Sequence, residues 1–457
     1  MKDLTKGNIS KNLWLLAIPT VAAELFSYAL STVDKVMLGK IVGDVGLAAV
    51  GVTESYFGIL WGLYGALTSA FGAQLAYLWG KGDGGCIKRT YKINMRINLI
   101  VGVVIAVGSI LLWRPLFAYL KVPADVFDEA KRYYIVYAAT FFVFVLKGNL
   151  GAALLSLGDS VFPMRVSMIS AVCNVALNYV LIVFCKMGAV GAAIATLLVS
   201  VGGCAAYWFK LRADLATTGG EVGRATLAEY HPILKQAIPT ALQQMMMYLF
   251  AFAVQPSINT LGKTAIAAIA VGESVGGLIT IGYNQLSKGM SIFVGQALGH
   301  KKPSLVRKGL LLTVRHILML TVPLILLLVI FPRIVPFIFL TDPYGEAAAI
   351  SIQYIYCCVP FMLARAFNRM FHNFFRGVLR PGFNIAGGLA MGVTRAVLSI
   401  SLIPVIGAYG AFIGYSAAWT ADCLVMLIVY LSKKWKTKEY IELELLEREA
   451  VATFIES

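Results

Sequence analysis

The second half of this chain repeats the first at an offset of about 219 residues. The string VTES at 52–55 returns as VGES at 271–274, LAAVG at 47–51 as IAAIA at 266–270, and GAVGAAI at 188–194 as GAYGAFI at 407–413. Near the start of each half the offset is 220, since AIPT at 17–20 meets AIPT at 237–240, as a single residue inserted in a loop produces. Self-similarity at a fixed spacing dictates architecture before local propensity does. Any fold for this chain is therefore one unit built twice.

Composition decides what kind of unit. Of 457 residues, 59% are hydrophobic and 14% charged, with a mean hydropathy of +0.78. A soluble domain carries roughly a quarter charged residues and has no interior large enough to hide so much apolar surface. Runs long enough to cross a bilayer, about 20 apolar residues each, recur at 13–38, 46–72, 93–118, 131–156, 162–185 and 188–209. A second series follows at 233–257, 265–293, 309–340, 347–375, 383–404 and 407–431. These runs are continuous rather than alternating, which excludes barrel strands. The expected fold is an all-α integral membrane protein of twelve transmembrane helices in two pseudo-symmetric six-helix lobes. The first lobe is 1–210, a polar cytoplasmic linker 211–231, the second lobe 232–431 and a cytoplasmic tail 432–457. The tail contains KEYIELELLEREA, with Ile441 and Leu445 four apart among acids, and reads as a short amphipathic helix.

The net charge of +16 does not point to nucleic acid, because of where it lies. Lys2, Lys6 and Lys11, then Lys81, Lys88, Arg89 and Lys92, then Lys210, Arg212, Arg224 and Lys235 fall on one side of the twelve-span topology. So do Lys301, Lys302, Arg307 and Lys308, and Lys433, Lys434, Lys436 and Lys438. On the other side, Asp125, Asp128 and Glu129 offset Lys121, Lys131 and Arg132. Positive-inside bias places both termini in the cytoplasm and the protein in the cytoplasmic membrane. The first apolar run lacks a small-residue cleavage site and is expected to stay as a span.

Soluble-enzyme motifs fail on context. Gly80, Gly82 and Gly85 satisfy GxGxxG, but between a membrane span and a basic loop rather than in a strand–turn–helix; LGKT at 261–264 lacks the phosphate-loop glycine, Ser257 standing there. Four scattered histidines and seven cysteines, mostly inside apolar runs, form no catalytic or metal-ligand pattern. We expect no enzyme activity, no cofactor, no bound metal and no nucleotide, so work is drawn from an ion gradient.

The opening DLTKGNISKNLWLLAIP, then STVDKVMLGKIVGDVGLAAVG and WGKGD, with AIAAIAVGES, FVGQALGHKK and NVALNYVLI, resembles the multidrug and toxic compound extrusion (MATE) family of cation-coupled antiporters over about residues 3–430. The resemblance implies two six-helix lobes in a V around a central cavity that opens alternately to either side. It also implies H⁺ or Na⁺ and a small molecule as partners within membrane lipid, with small amphiphilic compounds or drugs exported. A flippase for lipid-linked or other anionic precursors is the alternative within that fold; a gated channel or membrane receptor is the alternative of another class.

Several residues are singled out independently. Asp34 is an acid late in the first apolar span, where an ionisable group is functional by default, and it matches the family's cation-site aspartate; an interfacial acid paired with Lys35 or Lys40 near the helix end is the alternative. Its partner in the second half is Val254, so coupling is expected to belong to the first lobe. Asn174 and Asn178 share a helical face and complete the expected coupling site, as oxygen ligands to Na⁺ or as hydrogen-bond partners of a protonated Asp34; interhelical glue is the alternative. Pro19 and Pro239 are repeated helix-bending positions.

Glu54 and Glu273 are symmetry-related acids that face the pathway, or instead cap the interface or pair with a base. Some family members carry a carboxylate eight residues after the seventh-span proline; here Met247 stands there, with Gln243 and Gln244 a turn earlier, which puts a second-lobe cation site in doubt. In the tenth span Arg365, Arg369, His372 and Arg376 follow i, i+4, i+7, i+11 spacing. That stripe lines the pathway, with Arg365 and Arg369 meeting substrate, or snorkels to the cytoplasm, an explanation that suits Arg376 best.

Overall fold

The third predicted span shows why this sequence folds as it does in lipid. Asn94 and Asn98 are 2% and 1% exposed, while Ile100, Val104, Val107 and Leu111, three or four apart, are 50% to 73% exposed. Polar side chains face inward and apolar ones outward, the reverse of a soluble helix. Helices suit that setting because they satisfy every backbone group internally, and buried amides then join neighbours at about 1 kcal/mol per bond.

The computed structural model describes residues 2–456 apart from 121, 123, 125, 221–226 and 341. Lys121, Asp125 and Arg224 thus lie outside the described residues, as do the side chains of Lys35 and Glu54. Among the described residues there is no strand. The first half contains α1 (Ile9–Met37), α2 (Asp44–Lys81), α3 (Gly84–Leu111), the short α4 (Trp113–Leu120), α5 (Phe127–Ser156), α6 (Val161–Asn178) and α7 (Gly188–Ala216). The second half contains α8 (Tyr230–Asn259), α9 (Gly262–Gly299), α10 (Pro303–Ile330), the short α11 (Ile334–Phe339), α12 (Glu346–Cys358), α13 (Met362–Gly377), α14 (Asn384–Ile406) and α15 (Ala408–Leu431). The tail forms α16 (Lys438–Glu456). Among the described residues ten helices are long and apolar enough to span a membrane, and α12 with α13, taken as one bent span, makes an eleventh. The second predicted span lies within α2, so the twelve-helix, two-lobe architecture holds.

Four expected boundaries are corrected, two of them by proline. The tenth span is not one rod: α12 and α13 meet at a 55° bend beside Pro360, which lacks an N–H and disfavours helix at the residue before it. The ninth span stops at Ile330, and a turn holding Pro332 precedes α11. The third stops at Leu111, with α4 as a separate piece. The segment read as beginning at 211 is still helix until Ala216.

The chain divides into two compact units, Met1–Asp3 with Ile18–Ile233, and Leu4–Ala17 with Leu234–Ser457. The divide in α1 falls just before Pro19. Leu4–Ala17 joins the second unit through side chains: Gln296 Oε1 accepts from the Leu4 N–H at 2.9 Å, and Ser10 Oγ meets His316 Nε2 at 2.8 Å. Pro19 and Pro239 both lie inside unbroken helices.

The first unit packs α5 against α2, α3 and α7, around Tyr134, Phe141, Leu150 and Leu154, each 1% exposed or less. Its GxGxxG is a helix–helix turn: Gly82 takes φ +74° to end α2, and Asp83 Oδ1 accepts from the Cys86 N–H at 2.9 Å to cap α3. The second unit packs α13 against α9 and α15, and α14 against α15. The tail helix docks there: Glu447 accepts from the Ser304 N–H at 2.9 Å and from its hydroxyl at 2.6 Å, capping α10, and Tyr440 donates to the Pro303 carbonyl at 3.3 Å. The apolar residues Ile441, Leu445 and Leu446 on this helix stay exposed.

Candidate functional site

In the first unit, Asp34 stands one turn before α1 widens into a π-helical segment, Leu38–Val42. Asn178 ends α6 as that helix widens into another, Tyr179–Phe184, and the two segments lie against each other. A π turn inserts a residue into the helical ladder and is common at functional sites. Asn178 Nδ2 donates to Asp34 Oδ1 at 2.6 Å and to Asn174 Oδ1 at 3.3 Å, and Asn174 Nδ2 donates to Thr196 Oγ1 at 3.3 Å. With its amide turned over, Asn174 instead donates to Asp34 Oδ2 at 3.1 Å and Oδ1 at 3.2 Å, which suits its neighbours better.

All three residues expected to couple an ion are therefore in one cluster, and Thr196 of α7 joins them. Asn178 is fully buried and Asn174 8% exposed. The chemistry of the donors matters. Both amides present N–H groups to the carboxylate, which is a hydrogen-bonded cradle rather than a ring of oxygens around a hard cation. Among the described residues no group of three or more His, Cys, Asp or Glu side chains is arranged to hold a metal ion.

The second unit holds a different polar core, on α13. His372 Nε2 lies 3.0 and 3.1 Å from the two oxygens of Asp422 of α15, each side chain 2% exposed. Gly387 of α14 makes room, because a Cβ there sits 2.2 Å from Asp422 Oδ1. Arg376, 8% exposed, donates to Gln243 Oε1 at 3.0 Å, and Gln243 reaches Met247 Sδ at 3.3 Å. Arg376 is thus enclosed by protein. Snorkelling is overturned for it because its guanidinium finds a buried amide inside the lobe. Arg369 is half-buried, within electrostatic reach of Asp422, Tyr283 and Tyr248.

The other end of the stripe is more open. The Arg365 guanidinium lies 4.8 Å from the centre of Trp419, and that of Arg395 lies 4.4 Å from Tyr415. The two rings stack at 6.3 Å and 17°, so each guanidinium lies against one ring of a stacked pair. Glu273 is exposed and lies beside Tyr415. Gln244 is half-buried one residue from Gln243.

Sequence reasoning missed Asp422, Arg395 and Lys147, each an ionisable residue inside an apolar run. The rule that selected Asp34 finds all three when applied to every span.

Comparison with known proteins agrees with the fold. The MatE family profile matches residues 19–180 and 239–405, both halves of the repeat. The probable multidrug resistance protein YpnP of Bacillus subtilis is 26% identical over 302 residues, 65% of this chain and 67% of that protein. The probable multidrug resistance protein NorM of Thermotoga maritima is 24% identical over 95% of each chain. Several relatives are matched over only 62% to 67% of their own length. Among solved structures, a MOP superfamily transporter from Pyrococcus furiosus, described as having a binding pocket of reverse polarity that suggests a different function, superposes with a TM-score of 0.86 at 19% identity over 95% of this chain and 98% of that one. The duplicated apolar sequence, the twelve-helix fold and the family match lead to one conclusion: this chain belongs to the MatE family of multi-pass membrane transporters, which are not enzymes.

Proposed function

We propose that this protein is a cation-coupled antiporter of the cytoplasmic membrane, with both termini in the cytoplasm, that exports small amphiphilic compounds or drugs by alternating access. The observation that carries the coupling is Asp34, held by Asn178 at 2.6 Å where α1 and α6 both widen. A carboxyl group at that point binds H⁺ or Na⁺ in one state and releases it in the other; the amides of Asn174 and Asn178 serve either state because each carries both donors and an acceptor. Pro19, just past the unit divide in α1, suits a helix that changes its bend with the charge on Asp34. Pro239 has the matching place in α8. In proteoliposomes Asp34→Asn is expected to keep substrate binding and to lose gradient-driven accumulation at least tenfold. Wild-type accumulation by this variant would refute the coupling role, and a wild-type protein that cannot move substrate uphill would favour a channel or receptor.

A second reading concerns the substrate. Arg365 and Arg395 on the Tyr415–Trp419 face favour anionic or zwitterionic compounds, including lipid-linked precursors handled by a flippase. Under that reading Gln243, Gln244, Met247 and Arg369 border the pathway, with Glu54 and Glu273 setting its charge. Arg365→Ala is then expected to weaken binding of carboxyfluorescein about tenfold, the value of roughly one charge-assisted hydrogen bond, and to leave or improve that of ethidium. Equal affinity changes for both probes would return Arg365 to a packing role.

A further inference from the structure

Lys147, in the middle of α5, is an ionisable residue in an apolar span that the coupling site does not use. Its Nζ donates to Ser170 Oγ of α6 at 3.5 Å. Gly203 of α7 leaves space for it, since a Cβ there lies 2.6 Å from Lys147 Cε. Cys204 of α7 lies beside it, with Tyr207 of α7 and Tyr64 of α2 next to Cys204 in turn, and the Tyr64 hydroxyl occupies the space a side chain at Gly148 needs. None of its described neighbours forms an ion pair with it.

The placement on α6 gives this lysine a context. Ser167, Ser170, Asn174 and Asn178 recur at i, i+3, i+7 and i+11, and all four are buried or half-buried, whereas Arg165, Ile169, Val172, Cys173 and Ala176 are exposed. One face of the helix is polar and covered by protein; the other is exposed. Along the covered face the groups run from Asp34 through Asn178, Asn174 and Thr196 to Ser170 with Lys147, then to Ser167, whose hydroxyl lies 3.5 Å from Tyr207 Oη. Tyr207 donates on to the Pro163 carbonyl at 3.2 Å. Beyond the end of the helix, Asp159 and Asp214 hold Lys210 at 3.8 and 2.6 Å. From Asn178 to Ser167 the stripe covers about 16 Å of helix axis. Each gap of one turn is short enough for a bridging water.

We propose that this stripe is the cytoplasmic proton exit of the first lobe, with Lys147 as its relay, so that the coupled ion is H⁺. The inference rests on the reading of Asp34 as the coupling carboxylate. Protonated Asp34 gives its proton through water and the Thr196 and Ser170 hydroxyls to the Lys147 amine. The resulting ammonium passes a proton past Ser167 and Tyr207 to water at the Asp159 end and returns to the amine. The balance is one carboxyl proton lost at Asp34 and one proton gained by cytoplasmic water. Between Asp34 and Asp159 the stripe carries no carboxylate to hold a sodium ion, only hydroxyls, amides and the lysine amine. Lysine can exchange its proton in such a setting, and arginine cannot.

The test uses the full-length protein in proteoliposomes with ethidium or carboxyfluorescein, whichever the wild type transports. Lys147→Met, Lys147→Arg and Ser170→Ala are compared with Asp34→Asn in two assays: substrate counterflow, which needs no net proton movement, and accumulation driven by a pH gradient. Lys147→Met and Lys147→Arg are each expected to keep at least half the counterflow and to lose tenfold or more of the driven rate, with Ser170→Ala falling at least threefold. Should Lys147→Met fail to fold, the arginine and Ser170 variants carry the test. Wild-type driven transport by Lys147→Arg, or full transport driven by a Na⁺ gradient without a pH gradient, would overturn the proposal. If Asp34→Asn loses driven transport while every Lys147 and Ser170 variant keeps it, the exit route fails and the coupling role stands. If Asp34→Asn keeps it, the coupling role itself fails.

Discussion

The His372–Asp422 pair offers a quantitative test of how the second unit is held together. Both side chains are 2% exposed, and both carboxylate oxygens lie within 3.1 Å of Nε2. Replacing His372 with Leu removes the partner and leaves Asp422 buried against Gly387 and Met426. Breaking a buried pair from one side costs about 3–5 kcal/mol, because the stranded group keeps its desolvation penalty, while removing both partners together is often close to neutral. Leu is nearly isosteric with Asp, so the double variant His372→Leu/Asp422→Leu is expected to recover most of that loss. The coupling between the two sites should then be about 2 kcal/mol or more. Reversible unfolding in mixed micelles, followed by tryptophan fluorescence, measures all four members of the cycle. A single-variant cost below about 1 kcal/mol, or a double variant as unstable as the sum of the singles, would show that the pair is not what holds α13 to α15.

Gly387→Ala places a Cβ 2.2 Å from Asp422 Oδ1 and 2.5 Å from Met426 Sδ; overpacking of this kind is expected to cost about 1–3 kcal/mol in the same unfolding assay, and an unchanged midpoint would mean that α14 shifts freely. Single cysteines at Lys92 and at Lys308, in a background without reactive native thiols, are expected to resist an impermeant maleimide added outside intact cells and to react in inverted vesicles. External labelling would reverse the proposed topology.

The repeat, the membrane setting and most helix positions were legible in the sequence because a bilayer demands long apolar runs with internally satisfied backbones. The cluster at Asp34 was legible for the same reason: an acid in an apolar run stands out, and two asparagines four apart can only meet something on one side. Boundaries at prolines were less legible. Pro19 and Pro239 are carried within continuous helices while α12 and α13 part beside Pro360, and nothing local to the sequence separates these outcomes. Pairings between distant spans were not legible at all. His372 and Asp422 are 50 residues apart, and the first repeat offers no counterpart to guide the match, since Ala153 and Gly203 stand at the equivalent first-half positions. The arginine stripe showed its spacing but not its surroundings: the same periodicity fits snorkelling and burial, and only the Arg376–Gln243 bond decides between them.

The central claim is that substrate movement is exchanged for an ion at Asp34, and proton flux measures it directly. In proteoliposomes loaded with a pH-sensitive dye and held at zero membrane potential, adding a transported substrate is expected to drive a proton movement opposite to the substrate. The flux should scale with substrate transported, disappear in Asp34→Asn and persist when Na⁺ is replaced by choline. Substrate-dependent proton movement of wild-type size in Asp34→Asn, or transport by the wild type with neither H⁺ nor Na⁺ moving in return, would contradict the account.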